Sequence, residues 1–349
     1  MTSDQSRLIE AGAVNPASAK ETLSMLMGIF EAARIVPRTA PSRVLPLTII
    51  SGFLGSGKTT LVNRLLSEPA GRRNAVLVND FASVNIDEEL IRFQSTDTIG
   101  LTNGCACCSI NGDLVTAIQR LVERSDPPDA VVLEASGVAD PRGIAQVALA
   151  NPAIRLDAIV TLVDAETFVK RLQDERTRAT LVSQVSAADI VAINKVDLGE
   201  GMKSEIRARI ELIAPRRILL ETTHGNVPAD VVLGTMNRAA SLFSCAPTDH
   251  VVGFSSMTRS WSVPLDRDLI THLFHDLPPY VIRAKGTFAF RDEESKRYVY
   301  QRVGHRETLE LSPEMADCDA QSRMVLIGFS DSWNEDEIST LFSRADIKP

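Results

Sequence analysis

At 349 residues, 44% hydrophobic and 23% charged, the chain has the balance of a globular protein long enough for two cored domains, which excludes disorder throughout. Its net charge of −8 and pI near 5.3 argue against a general nucleic-acid or anionic-membrane surface, since both partners would repel it. Small molecules or proteins are the expected partners.

Residues 1–45 are rich in Ala, Ser and Pro. Within them, 18–36 carries apolar residues at helical spacing (Leu23, Leu26, Met27, Phe30, Ile35), and Pro37, Pro41 and Pro46 then stop any helix, which predicts a partly helical N-terminal arm. The apolar run at 23–30 is too short to span a bilayer and no basic segment directly precedes it, so neither anchor nor secretion signal is expected. From Leu47 onward, LTII, AVLVN, AVVLE, AIVTLV, DIVAIN and RILLE alternate with helical patterns. Such alternation predicts an α/β domain over 46–235, with a mainly parallel sheet covered by helices on both faces. A linker at 236–250 contains SLFSCAPTDH. Strand-like VVGFSS, VIRAKGTFAF, RYVYQRV and RMVLIGF, with helices at 266–275 and 334–344, predict a smaller α+β domain over 251–349.

The stretch SGFLGSGKTT follows directly on LTII and matches the phosphate-binding loop of P-loop NTPases in its strand-loop-helix context. Gly52, Gly55, Ser56, Gly57, Lys58, Thr59 and Thr60 form the expected phosphate set. Glycines let backbone N–H groups turn inward around phosphate oxygens, Lys58 would reach the β and γ phosphates, and the Thr59 hydroxyl would hold Mg²⁺. At the end of DIVAI, NKVD places Asn194, Lys195 and Asp197 for base recognition. A carboxylate there accepts from guanine N1–H and the 2-amino group together, a pair adenine cannot present, which favours GTP. Thr222 and Thr223 follow RILLE, where a loop could pass the far side of the base. In AVVLEASG, Glu134 would face Mg²⁺ or its water while the Gly137 amide approaches the γ phosphate, and Asp80 ends the second strand as a further acid. Lys58, Asp80 and Glu134 are thus the catalytic candidates. The carboxyl ends of successive strands converge as an open α/β sheet requires of an active crevice.

NGCACCSINGDL sets Cys105, Cys107 and Cys108 within four positions, too crowded for separated disulfides, so reduced thiols in a cytoplasm are expected. Thiolates bind Zn²⁺ and Cu(I) strongly. Adjacent Cys107 and Cys108 are awkward ligands for one ion, so two or three loop thiolates would be completed by Asp80 or water. An incomplete site suits a metal that must leave. Buried apolar cysteines or a redox switch are the alternatives. Cys245 and Cys318 stand alone and read as packing or surface residues.

SGFLGSGKTTLVNRLL, NGCACCSINGDL, LEASGVADP, VDA at 163–165 and NKVDL, in this order, resemble the CobW family of G proteins, relatives of the urease and hydrogenase nickel-insertion GTPases. RAKG at 283–286 and VLIG at 325–328 extend the resemblance less specifically into a CobW-type C-terminal domain. It implies a GTP-hydrolysing metallochaperone or metal-insertion factor with a client metalloprotein. The Cys-x-Cys-Cys motif would take zinc, with cobalt as second candidate. One departure stands out. Where the family has Asn-Glu-Phe-Gly-Glu, this chain has Asn79, Asp80, Phe81, Ala82 and Ser83, so any role of the second glutamate is absent. A nucleotide-gated scaffold with structural or redox cysteines is the alternative, and a P-loop small-molecule kinase the next; NKVDL and the Glu134–Gly137 spacing favour the first reading. His272 and His275, three apart on a predicted helix, read as an ordinary half-buried face.

Overall fold

The computed structural model describes residues 44–67, 73–78, 98–100, 109–234, 253–312 and 321–346. The expected arm up to residue 43, the linker 236–250, Asp80 and all five cysteines lie outside them. The chain divides into two compact units, Met1–Val232 and Leu233–Pro349.

In the first unit the described elements run β1 (Leu45–Gly52), α1 (Lys58–Ser67), β2 (Asn74–Val78), β3 (Thr98–Gly100), α2 (Ser109–Val122), β4 (Ala130–Glu134), α3 (Pro141–Leu149), β5 (Ile154–Asp164), α4 (Phe168–Gln173), α5 (Glu175–Ala187), β6 (Ile190–Asn194), α6 (Lys203–Ile213), β7 (Ile218–Glu221) and α7 (Ala229–Leu233). The seven strands lie in the order β3-β2-β4-β1-β5-β6-β7. Every pair is parallel. β4 and β6 are buried at every position, the signature of a sheet covered on both faces and the reason these strands read as unbroken apolar runs. Leu47, Ile49, Leu77, Val131 and Leu133 pack against Leu114, Ile118 and Leu121 of α2 and Ile144 and Val147 of α3. Val163, Val191 and Ile193 pack against Phe168 of α4, Leu181 and Val185 of α5 and Ile206 and Ile210 of α6. Each fully buried Leu or Ile contributes about 1.5–3 kcal/mol of transfer free energy. The α/β P-loop class expected from the sequence is the one observed. Because β4 enters between β1 and β2, successive strands run outward on opposite sides of the β1–β4 pair, which opens a crevice at their carboxyl ends.

The second unit is a five-stranded antiparallel sheet, in the order β11-β10-β9-β12-β8, of β8 (Phe254–Trp261), β9 (Val281–Phe288), β10 (Tyr298–Val303), β11 (Arg306–Leu311) and β12 (Ser322–Phe329). Two helices, α8 (Arg267–His275) and α9 (Glu335–Ser343), share its core. Asp266 and Asn334 cap them, their side chains accepting from Leu269 N and Glu337 N. Phe274 stacks on Tyr300 at 3.6 Å between centroids and meets Phe288 edge-on, so aromatic geometry fixes α8 to the sheet. His272 and His275 are both exposed rather than half-buried, and His275 Nδ1 lies 2.7 Å from Glu307 Oε1.

The sequence reading did not mark β3 or β11. β3 is three residues long, and β11 reads RETLEL, whose charges suit an edge strand that must resist further pairing.

At Gly328 a Cβ would lie 2.5 Å from the Tyr280 carbonyl oxygen and 2.7 Å from the Trp333 ring. Gly328→Ala should therefore destabilise the second unit by about 1–3 kcal/mol through overpacking. Both tryptophans, Trp261 and Trp333, belong to that unit, so denaturant unfolding followed by tryptophan fluorescence reads it directly. An unmoved midpoint would show that the carbonyl yields freely.

Candidate functional site

β1 runs out at Gly52, and the chain turns through 53–57 before α1 begins at Lys58. The turn is tied by Ser56 N–H donating to Phe53 O at 3.1 Å and Leu61 N–H to Gly57 O at 3.0 Å. Lys58 is buried and its Nζ lies 3.4 Å from Phe53 O, so the ammonium curls back over the loop. Its neighbour Thr59 donates from Oγ1 to Glu134 Oε1 at 2.7 Å. Glu134 is 3% exposed, and it lies 75 positions away in the sequence. The adjacent strands β1 and β4 bring the two together, with Ile50 in register with Glu134.

The loop is also anchored from the other side. Asn194 closes β6, is 2% exposed, and donates from Nδ2 to Ser56 O at 2.9 Å while its Oδ1 accepts from Gly225 N at 3.1 Å. Gly57 is required by this contact: a Cβ there would lie 2.3 Å from Asn194 Nδ2, and its φ of +101° disfavours a side chain. Lys195 adopts φ 60 and sends Nζ to Asp164 Oδ2 at 2.8 Å. Asp164 ends β5 and also accepts from Glu166 N and Thr167 N. Behind the loop, the Arg171 guanidinium lies 4.8 Å from the Phe53 ring centroid, a cation–π contact that packs the phosphate-loop backbone onto α4.

A cavity of ≈ 420 Å³ opens over this arrangement, within the size range of small-ligand pockets. Of the predicted residues it gathers Gly55, Gly57, Lys58, Thr59, Thr60, Glu134, Gly137 and Lys195. Gly52, Ser56 and Asn194 sit buried and support its wall rather than line it. Asp197 is exposed in the turn after β6, where Leu198 N–H donates to Lys195 O. Thr222 is buried and exchanges backbone bonds with Ile193 and Val196, so the turn after β7 packs beside NKVD, while Thr222 does not line the cavity. Asp80, Cys105, Cys107 and Cys108 fall outside the described residues. Leu54, Ala135 and Ser136 complete the lining; they lie within SGFLGSGKTT and LEASGVADP but were not among the expected site residues. Asp164 did carry one, an acid ending a buried strand like Glu134, but the reading used it only as part of VDA. Among the described residues, no group of three or more His, Cys, Asp or Glu side chains is arranged to hold a metal ion, and no helix is long and apolar enough to cross a membrane.

Asn194→Ala removes the shared partner of Ser56 O and Gly225 N–H. Leaving two buried backbone groups unpaired should lower the stability of the ligand-free chain by about 2–4 kcal/mol. Calorimetry measures it, and a loss under about 0.5 kcal/mol, the range of a neutral surface change, would mean that solvent replaces both bonds.

Residues 46–240 match the family model described as CobW/HypB/UreG, nucleotide-binding domain, and 254–345 match the cobalamin synthesis protein cobW C-terminal domain. The zinc chaperone YjiA of Escherichia coli K12 is 28% identical over 319 residues, spanning 86% of this chain and 98% of that protein. The zinc chaperone CobW of Pseudomonas aeruginosa is 33% identical over 240 residues, 59% of this chain and 64% of its own length. Among solved structures, a Zn(II)-bound YjiA GTPase from E. coli aligns over 87% of this chain and 99% of that one, at 24% identity and a TM-score of 0.42. With the nucleotide-binding model and the C-terminal model matched in succession along it, the chain belongs to the CobW/HypB/UreG family.

Proposed function

We propose that this chain is a GTP-hydrolysing metallochaperone or metal-insertion factor that binds zinc, or cobalt as second candidate, through Cys105, Cys107 and Cys108 and couples metal transfer to GTP hydrolysis. The observation that carries the reading is the 2.7 Å hydrogen bond between Thr59 Oγ1 and Glu134 Oε1 at the edge of the cavity. It brings the hydroxyl of the phosphate loop and the strand-end acid to one point, where hard oxygen donors suit Mg²⁺. Mg²⁺ bound there would neutralise charge on the phosphates. In this reading Lys58 binds the β and γ phosphates, Thr59, Glu134 and Asp80 serve the Mg²⁺, and the Gly137 amide meets the γ phosphate. Asn194, Lys195 and Asp197 take the guanine end. The ion pair with Asp164 supports this, because it lays the Lys195 stem along the cavity wall, while Asp197 stays exposed to an incoming base.

The metal half of the proposal is supported by the relatives named zinc chaperones and by the sheet register. Gly100 of β3 pairs with Val78, and Val78 pairs with Glu134, so the strand that leads toward the cysteines ends level with the acid that holds Thr59. α2 starts at Ser109, the next residue after Cys108. The partners are then GTP, a transition metal and a client metalloprotein, with 46–235 as the nucleotide domain, 236–250 as linker and 251–349 as the C-terminal domain.

Two experiments test the halves separately. Asp197→Asn should shift preference from GTP toward xanthosine triphosphate by about 1–3 kcal/mol, the worth of one bidentate pair, because the amide donates where the carboxylate only accepts. Unchanged guanine preference in a competition assay removes the base assignment. For the metal, zinc should bind about 5- to 150-fold more tightly with a nonhydrolysable GTP analogue than with GDP, and by linkage zinc should tighten the analogue by the same factor. Cys107→Ser should lose zinc and the coupling while GTP binding survives. Equal zinc affinities in chelator competition would leave a metal-binding GTPase with no gated delivery.

A further inference from the structure

The turn after β4 is held from a side that the proposed function does not use. Gln184 on α5 is 1% exposed, and its Nε2 donates to Gly137 O at 3.1 Å and to Ala139 O at 3.2 Å. Both partners are carbonyl oxygens, so the amide nitrogen must face them. Its Oε1 is buried and has no hydrogen-bond partner among the described residues. A buried acceptor without a partner is costly, and an apolar side chain of the same shape would avoid that cost. Burying a half-satisfied glutamine therefore adds a directional hold on this turn more than it adds stability.

The turn it holds borders the site on its other side. Gly137 lines the cavity, and a Cβ there would lie 2.8 Å from Leu54 N and 2.5 Å from Leu54 Cδ2, so its backbone rests directly against the phosphate loop. Three residues earlier, Glu134 holds Thr59. Gly137 is thus gripped between Leu54 and the Gln184 carboxamide.

We propose that Gln184 is a positioning residue for GTP hydrolysis. By fixing the 136–139 turn against the phosphate loop it sets what Gly137 offers to a third phosphate, and so how far the site distinguishes triphosphate from diphosphate. The proposal rests on the GTPase reading above. Gln184 touches no reacting group, so its effect should appear in discrimination rather than in nucleotide binding as such.

The test uses the full chain with Gln184→Met, which keeps the volume and removes the donor, and Gln184→Glu, which donates only when protonated. For Gln184→Met, affinity for GDP should stay within about 2-fold of wild type, while affinity for a nonhydrolysable GTP analogue and kcat each fall about 10-fold, the scale of the two lost hydrogen bonds. Hydrogen exchange at 136–139 should quicken. Gln184→Glu, buried against two carbonyl oxygens that favour the protonated acid, should keep the donor at low pH and develop the same defect relative to wild type as the pH rises and its carboxyl ionises; it also supplies the reading if the Met variant does not fold. Equal losses of GDP and analogue affinity would reduce Gln184 to a structural role and overturn the proposal, as would an unchanged ratio in a wild-type background that hydrolyses GTP. A wild-type chain that hydrolyses no GTP would instead overturn the GTPase reading, and the positioning role with it.

Discussion

One buried carboxamide ties the first unit together. Asn194 joins the phosphate loop at Ser56 O, the end of β6 and the turn after β7 at Gly225 N, three segments spread over more than half of that unit's sequence. Each is a chain reversal, where backbone groups lose their ladder partners and need others. A side chain with one donor end and one acceptor end satisfies a carbonyl and an N–H at once, and buried bonds of this kind also fix direction. The glycine at 57 follows from it, because Asn194 Nδ2 occupies the space a Cβ would take. So a residue proposed as a base contact also braces the loops, with one bond made at each end of its side chain.

The same economy explains what the sequence could and could not reveal. Strand-end chemistry was legible, because a parallel sheet presents its carboxyl ends to one crevice and few residue types can serve there: Gly57, Lys58 and Thr59 on one strand exit and Glu134 on another meet as their motifs require. Contacts made by single residues far apart were not. Lys195 and Asp164 are 31 positions apart with no spacing rule to join them, and Gln184 sits in ERTRATLVSQVSA, where nothing in the pattern separates a buried glutamine from a solvated one. β11 escaped for a different reason. Its charged residues are what an exposed sheet edge needs, and they erase the apolar alternation by which strands are recognised.

Charge in the site is prepared before any ligand arrives. Lys58 is 8% exposed and Glu134 3%, so most of the desolvation these groups would suffer on binding has been met in folding. Each is held by short-range polar contacts, Lys58 by a loop carbonyl and Glu134 by Thr59. Groups fixed in this way need little reorganisation when opposite charge enters, which is the condition under which electrostatic stabilisation is largest.

Gln184 of α5 holds the 136–139 turn beside these groups, and apolar packing alone would not set that helix's height against the sheet. The helix presents Leu181, Val182 and Val185 to the core, residues that could slide along β5 at small cost. Directional bonds prevent this. Thr161 of β5 donates from Oγ1 to Gln184 O at 3.0 Å, and just past the helix Asp189 accepts from Ile159 N at 2.8 Å while its own N–H donates to Ile159 O at 2.8 Å. Ile159 and Thr161 point these bonds at two levels of one strand, so α5 is registered to β5 as a strand is registered to its neighbour. Gln184 owes its address to that seam, and the turn at 136–139 inherits it. A buried polar network here adds less to stability than hydrophobic residues of the same size would, and what it supplies instead is a unique position for the helix whose Gln184 holds the 136–139 turn.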